Sequence, residues 1–280
     1  MLNVALVTWS GLPSLTEDDR LVRAALEHRG ARVTATVWDD PSVDWSRFDR
    51  VVLRSTWDYH RNAERFLGWI DALPVPLQNP APLVRWNSHK KYLSELGARG
   101  VNVVPTLFRS AAAEPPLFDP GYESGGSATA LLNVIKPAIS ATAYRTKRVH
   151  RDDLERELAT FDCDVLVQPF IPEVVERGEW SLIFFDGEYS HTVLKRAKEG
   201  DFRVQNDFGG TVTVLAPPRT LIEQARAILE AIDETPVYAR VDGVEIDGNL
   251  MLMELELIEP VLFLGTHEPA ADRFAEAILT

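Results

Sequence analysis

An α/β fold leading into α+β is predicted by three features of this 280-residue chain. The first third alternates short apolar runs with amphipathic helical stretches, the pattern of a parallel sheet covered on both faces. From Trp180 the pattern changes to apolar runs separated by Asp-Gly pairs, the signature of antiparallel hairpins. Hydrophobic residues make up 45% and charged residues 25%, a composition that packs a core.

The elements follow in chain order. Residues 3–7 predict a strand. Thr16 with Asp19 predicts a helix start, after which Leu21, Val22, Ala25 and Leu26 share one face until Gly30 stops the helix. Strands are predicted at 33–38 and 50–53, and the Pro-rich 74–82 stretch marks a boundary. A helix over 87–98 carries Lys90 and Lys91. A strand follows at 101–104, then a Pro-, Gly- and Ser-rich loop at 111–127. Residues 131–136 predict a strand, 152–160 a helix and 164–170 a strand. Asp186-Gly187 joins 182–185 to 189–195 as a hairpin. A helix is expected at 219–232, a second hairpin over 237–257 around Asp247-Gly248, and a closing helix at 270–279.

Charge and composition exclude several classes. Asp and Glu number 42 against 29 Lys and Arg, a formal charge of −13. So acidic a chain repels phosphate backbones, and nucleic acid is not an expected partner. A small anionic ligand remains open to it, because a local basic site can sit inside an acidic protein. The single cysteine, Cys163, permits neither an intrachain disulfide nor a Cys-rich zinc site. No apolar run reaches the ~18 residues of a membrane span. The N-terminal residues lack the basic region of a signal peptide, so a cytoplasmic location and no membrane partner are expected. Walker, dinucleotide, nucleophile-elbow and HExxH patterns are absent, and the histidines have no metal-ligand spacing.

Four groups of residues carry chemistry. Lys136 ends an apolar strand and precedes Pro137. Alone it would read as a lysine reaching to water, but a buried ammonium needs an anion. The strand through Leu166, Val167 and Gln168 runs out into Pro169-Phe170-Ile171-Pro172-Glu173, where backbone groups between apolar walls suit a flat heterocycle. Lys195-Arg196 and Asp201-Phe202-Arg203 set cations at strand ends, suited to phosphate oxygens or to plain surface charge. The fourth and strongest group is the second hairpin. Between Asp242 and Glu259 there are six acids and no base. Glu254 and Glu256 share one face of an apolar strand, where carboxylates need a cation and an all-oxygen set suits Mg²⁺ or Mn²⁺. Turn length decides this arrangement. A three-residue turn sets Asp242 opposite Glu254 and Arg240 opposite Glu256. A two-residue turn sets Asp242 opposite Met253 and sends Glu254 to the other side, unless a bulge restores it.

Taken in order, these pieces resemble the ATP-grasp superfamily over about residues 84–265. The arrangement is similar to glutathione synthetases, ribosomal-protein glutamate ligases and D-alanine–D-alanine ligases. It is nearest to the cyclo-ligase of D-cycloserine biosynthesis and its relatives, through residues 86–93 and 168–171, Tyr189-Ser190-His191, and residues 254–260. The resemblance implies an N-terminal α/β substrate-side domain (1–84), an ATP-grasp small lobe and lid (85–168) and a catalytic lobe with the metal hairpin (169–280). It implies ATP and Mg²⁺ (or Mn²⁺) as cofactors. Lys90, or less favourably Lys91, and Lys136 would reach the nucleotide. Gln168, Phe170 and Ile171 would form the adenine hinge. Glu179, with Glu173 as second candidate, would bind ribose. Lys195 and Arg203 would touch phosphate, and Arg240 would steady the transferred phosphate. Asp242, Glu254 and Glu256 would hold metal.

Two departures stand out: many relatives have Asn where this chain has Glu256, and the loop after Lys136 has no glycine. The implied reaction activates a small carboxylate as an acyl phosphate for attack by an amine-type nucleophile. The alternative is a nucleotide sensor or phosphotransferase. The expected substrate is small and amino-acid-like, and a homodimer is a family-level expectation. Arg54 and Asp58, just past a parallel strand, are candidates for its carboxylate and amine, weighed evenly against a structural Trp-Asp-Tyr turn.

Overall fold

The computed structural model describes residues 1–110, 131–204 and 208–280, so the loop expected at 111–127 lies outside the described residues. The first sheet is wholly parallel, in the order β2-β1-β3-β4, from β1 (Asn3–Thr8), β2 (Arg32–Val37), β3 (Arg50–Ser55) and β4 (Leu77–Gln78). Both its faces are covered, which is why Val4, Ala5, Leu6 and Val7 are apolar without alternation and all buried. Val22 and Leu26 of α1 (Glu17–His28) cover one face, and Phe66 and Ile70 of α2 (Ala63–Asp71) the other. The Thr16 hydroxyl accepts the Asp19 amide at 2.9 Å, as the capping pattern predicts. Leu21, expected on the buried face, is 41% exposed. Asp19 turns inward instead, because the buried Arg54 guanidinium needs its carboxylate.

The helix expected over 87–98 is two helices, α3 (Ala81–Ser88) and α4 (Tyr92–Ala98). His89 is extended, and the Lys90 amide leaves the helical ladder to donate to the Ala138 carbonyl at 2.9 Å. The stretch at 101–104 is not a strand but makes one isolated bridge, Val103 to Leu252. Within it Val104 donates to Leu252 and Leu252 to Asn102, which covers a sheet edge.

The second sheet is antiparallel, in the order β5-β8-β6-β7, from β5 (Leu107–Arg109), β6 (Leu132–Pro137), β7 (Lys147–His150) and β8 (Val165–Pro169). The helix expected at 152–160 shortens to α5 (Leu154–Leu158) after a 3₁₀ turn. A short α6 (Glu173–Glu176) follows β8.

The third sheet has five antiparallel strands in the order β11-β10-β9-β12-β13. These are β9 (Glu179–Phe185), β10 (Glu188–Arg196), β11 (Thr211–Val214), β12 (Tyr238–Ile246) and β13 (Asn249–Glu256). Asp186-Gly187 and Asp247-Gly248 all have positive φ, the type I′ geometry that the Asp-Gly pairs predict. On one face, α4 and α7 (Arg219–Glu230) bring Leu93, Leu96, Leu221 and Ile228 onto Leu182, Phe184 and Val241. On the other, Phe274 and Ile278 of α8 (Ala270–Leu279) join Ile183, Phe185 and Tyr238 to the first sheet's Val4 and Leu6. Each such buried side chain contributes about 1.5–3 kcal/mol. The last helix thus packs with the first strands. The boundary segment is stitched in too, since the buried Asn79 side chain donates to the Tyr238 and Leu257 carbonyls. Among the described residues no helix is long and apolar enough to cross a membrane.

Candidate active site

The β12–β13 turn has two residues, which by itself would misalign the carboxylates. Near the turn Ile246 pairs with Asn249 and Gly243 with Leu252. A bulge then takes up Met253, and beyond it Asp242 pairs with Glu254 and Arg240 with Glu256. The bulge depends on Gly243, where a Cβ would stand 2.7 Å from the Met251 carbonyl oxygen.

These four side chains line one cavity of about 370 Å³, framed by the second and third sheets and by the turn after β3. Lys90 and Lys136 enter it from the α3–α4 break and the end of β6. Gln168, Phe170 and Ile171 line it at the exit of β8, and Glu179, Lys195 and Arg203 line it from the third sheet and the loop beyond. The break in the expected helix is what puts Lys90 there. Lys90 is buried while Lys91 is exposed, so the geometry favours Lys90 of the two.

The charges are already paired. Lys90 Nζ lies 2.8 Å from Glu254 and donates to the Ser140 carbonyl at 3.0 Å. Lys136 lies 3.9 Å from the same carboxylate. Lys195 bridges Glu179 at 2.6 Å and Asp242 at 3.0 Å. Arg240 binds Asp242 at 2.9 Å, contacts Glu256 and donates to the Val261 carbonyl. Arg203 pairs with Asp201 at 2.8 Å and lies over the Phe208 ring.

Burial and these partners set the protonation equilibria. Burial pulls Lys90 down, but Glu254 outweighs it and holds the ammonium above the usual lysine range. Lys136 stays below that range, because burial and the neighbouring Lys90 outweigh the more distant Glu254. Asp242 is held below the carboxylate range, since Arg240 and Lys195 overcome its burial. Glu256 is pushed up to about 7 by burial and by Asp242 and Glu254, against Arg240. Glu259 is pushed up to about 8 by burial and by Glu256.

Among the described residues no three carboxylate, imidazole or thiol side chains already converge as a metal cage. Asp242, Glu254 and Glu256 share the cavity, but each is turned to a cation of the protein. As donors they are all oxygen and anionic, which fits Mg²⁺ or Mn²⁺. The hinge also fits a heterocycle. Phe170 N–H is spent on the Leu132 carbonyl, whereas the Ile171 amide has no backbone acceptor among the described residues.

Three predicted site residues are not brought to the cavity. Glu173 begins α6 and does not line it. The Asp58 carboxylate accepts the Trp38 indole N–H at 2.9 Å. Arg54 is buried, with Nε on Asp19 at 2.9 Å and Nη2 on the Pro260 carbonyl at 2.9 Å, so its guanidinium joins β3 to the segment after β13. Arg54 and Asp58 thus serve the structural turn weighed against their substrate roles.

Other residues of the site were missed. The Ser181 hydroxyl donates to Asp242 at 2.6 Å. The Asn87 side chain donates to the Leu255 carbonyl and accepts the Leu257 amide, clamping the end of β13. The Tyr92 hydroxyl accepts the Leu255 amide at 3.0 Å. A lone Ser, Asn or Tyr in an apolar stretch carries no sequence signal of this kind.

Residues 4–79 match the family model described as the N-terminal domain of D-cycloserine synthetase DcsG. The chain is 34% identical over 276 residues to the cycloserine biosynthesis protein DcsG of Streptomyces lavendulae, with 89% of each chain covered. This chain belongs to the DcsG family. The crystal structure of D-cycloserine synthetase DcsG superposes with a TM-score of 0.82 at 31% identity, covering 98% of each chain. A D-alanine–D-alanine ligase from Bacillus anthracis, complexed with ATP, superposes with a TM-score of 0.71 at 15% identity, over 100% of this chain and 96% of the other. The fold is therefore ATP-grasp, and the DcsG-family chain is an ATP-grasp ligase that uses ATP. The cavity lies between its second and third sheets, with the exit of β8 on one side and the β12–β13 carboxylates on the other.

Proposed function

We propose that this DcsG-family ligase activates the carboxylate of a small amino-acid-like substrate with ATP as an acyl phosphate. A nitrogen nucleophile then displaces phosphate, forming a carbon–nitrogen bond or closing a ring. The observation that carries the reading is the bulged register that sets Asp242 against Glu254 and Arg240 against Glu256 inside a cavity ringed by lysines.

The residues divide the work. Phe170 and Ile171 offer backbone edges to adenine beside Gln168. Glu179 is the ribose acid, with Glu173 a weaker candidate from outside the cavity lining. Lys90, Lys136 and Lys195 neutralise phosphate charge, and Arg203 closes on it from the Asp201 loop. Arg240 faces the oxygens on which charge grows during transfer. Asp242, Glu254 and Glu256 would hold Mg²⁺, which when bound would supply charge neutralisation to the phosphates. The pairs in the cavity hold Asp242 and Glu254 ionised, whereas Glu256, pushed up to about 7, gains most from an added cation. Positioning and charge neutralisation suffice for this chemistry.

The test is ADP release by the full chain with Mg²⁺–ATP against a panel of amino acids and their ureido, hydroxy and aminooxy derivatives, with hydroxylamine added to trap acyl phosphate as hydroxamate. Substrate-dependent ADP and hydroxamate are expected. Nucleotide-dependent thermal stabilisation with no substrate-dependent ADP release would instead favour a sensor.

A further inference from the structure

Five carboxylates line the cavity, and four of them have a basic partner. Glu259 is the exception. Among the described residues its side chain has no ion pair and no hydrogen bond, although it is half-buried, and Lys90, Lys195, Arg203 and Arg240 are engaged with other carboxylates. Its backbone is fixed on both sides. The Trp57 indole donates to its carbonyl at 3.2 Å, and the next carbonyl, that of Pro260, takes the Arg54 guanidinium at 2.9 Å. The backbone that carries the carboxylate into the cavity is therefore fixed. Trp57 and Tyr59, in the turn that follows β3, line the cavity at this end.

Burial and Glu256 push the unpartnered carboxyl up to about 8, so near neutral pH it tends to keep its proton, and a ligand that brings N–H donors favours its ionised, accepting form. The phosphate end of ATP, all acceptors, cannot do so. A nitrogen nucleophile with N–H groups can. We propose that Glu259 is the specificity residue for the substrate's nucleophilic nitrogen, accepting its N–H groups at the Trp57–Tyr59 end of the cavity. The inference rests on the ligase reading above only in taking the nucleophile to be nitrogen. It also gives Arg54 a supporting part: by holding Pro260 it positions Glu259 without touching substrate.

The probes follow from chemistry. Opening the ring amide of D-cycloserine leaves β-aminooxy-D-alanine, and O-methyl-D-serine places a methyl group where that molecule has NH₂. Calorimetry on the full chain, loaded with Mg²⁺ and a non-hydrolysable ATP analogue, compares the two. Wild type is expected to bind the aminooxy acid at least tenfold more tightly. Glu259→Ala should bring the two affinities within about twofold, and Glu259→Gln, which keeps one acceptor oxygen and the side-chain shape, should fall between. Equal affinities in wild type, binding of neither probe, or undiminished discrimination in both folded variants would overturn the proposal. ADP release by wild type with β-aminooxy-D-alanine is read separately. Its absence alongside intact, Glu259-dependent discrimination would sink the ligase reading and leave this one standing.

Discussion

Lys136 sits on its strand end with a single, distant counter-charge, 3.9 Å away on Glu254, and burial holds it below the usual lysine range. A phosphate would give it the close anion it lacks. Lys136→Ala should therefore weaken ATP binding more than tenfold, the loss of a charge-assisted contact of about 1.5–3 kcal/mol, with the melting temperature of the free protein nearly unchanged. Unchanged ATP affinity by calorimetry would remove Lys136 from the nucleotide site. Arg203 and Arg240 are different, because each already has a full partner in Asp201 or Asp242. Their expected contribution is to charge that builds on the transferring phosphate. Arg203→Ala and Arg240→Ala should lower kcat at least tenfold with a smaller change in the ATP KM. Steady-state kinetics in which only KM rises would disprove that role. At this scale the sequence was legible wherever a charge interrupts an apolar strand, as at Lys136, Asp242 and Glu254. It was silent on Ser181, Asn87 and Tyr92, whose value lies wholly in partners that are distant along the chain. It left Arg54 evenly balanced, because a cation after a parallel strand looks the same whether its partner is a ligand or a buried Asp19.

Among elements, the β12–β13 hairpin decides most. Its Asp-Gly turn and its strands were evident from residue types, and the requirement for an odd loop or a bulge followed from the period of two. Which device the protein uses was not evident, because Gly243 and Met253 look ordinary in a strand. Gly243 allows the Met251 carbonyl to approach, and a Cβ at 2.7 Å from that oxygen would force the bulge apart. Gly243→Ala should cost about 1–3 kcal/mol in stability, in the range of overpacked cores, and reduce ligase turnover more than tenfold. Its neighbour Val244, buried beside the bulge, provides the control: Val244→Ala should destabilise to a similar degree while retaining turnover at temperatures where both variants are folded. Equal turnover losses in the two would show that stability rather than register carries the effect. The broken helix teaches the same lesson in reverse. Apolar periodicity across 87–98 is continuous, yet the Lys90 amide finds a better acceptor in Ala138 of the loop after β6. Tertiary pairing overrides local propensity there, and the site gains a lysine.

At the scale of the whole molecule, the chain closes on itself. The Asp18 carboxylate at the start of α1 accepts the Leu262 and Leu264 amides, and the buried His191 on β10 meets the same segment from the other side, 2.8 Å from the Leu262 carbonyl oxygen. Nε2 must therefore carry the proton, leaving Nδ1 to accept from the Ser190 hydroxyl at 2.9 Å. Both ring nitrogens are satisfied in the neutral form, and burial, with His267 stacked alongside, lowers the His191 pKa from 6.5 to about 4. The linkage has a definite sign. Below about pH 6.5 the unfolded chain takes up a proton that the folded one refuses, so this contribution is complete above that pH and is lost as pH falls toward about 4. A shift of that size corresponds to at most about 3 kcal/mol. Raised carboxyls such as Glu259 work in the opposite direction, since protonating them favours the folded state, so the net pH profile does not isolate the histidine. A difference measurement does. Between pH 7 and pH 4.5, wild type should lose several degrees more in melting temperature than His191→Gln, which keeps an amide donor for Leu262 but cannot titrate. Parallel profiles for the two proteins would show that His191 is not the group that ties the join between the first and third sheets to pH.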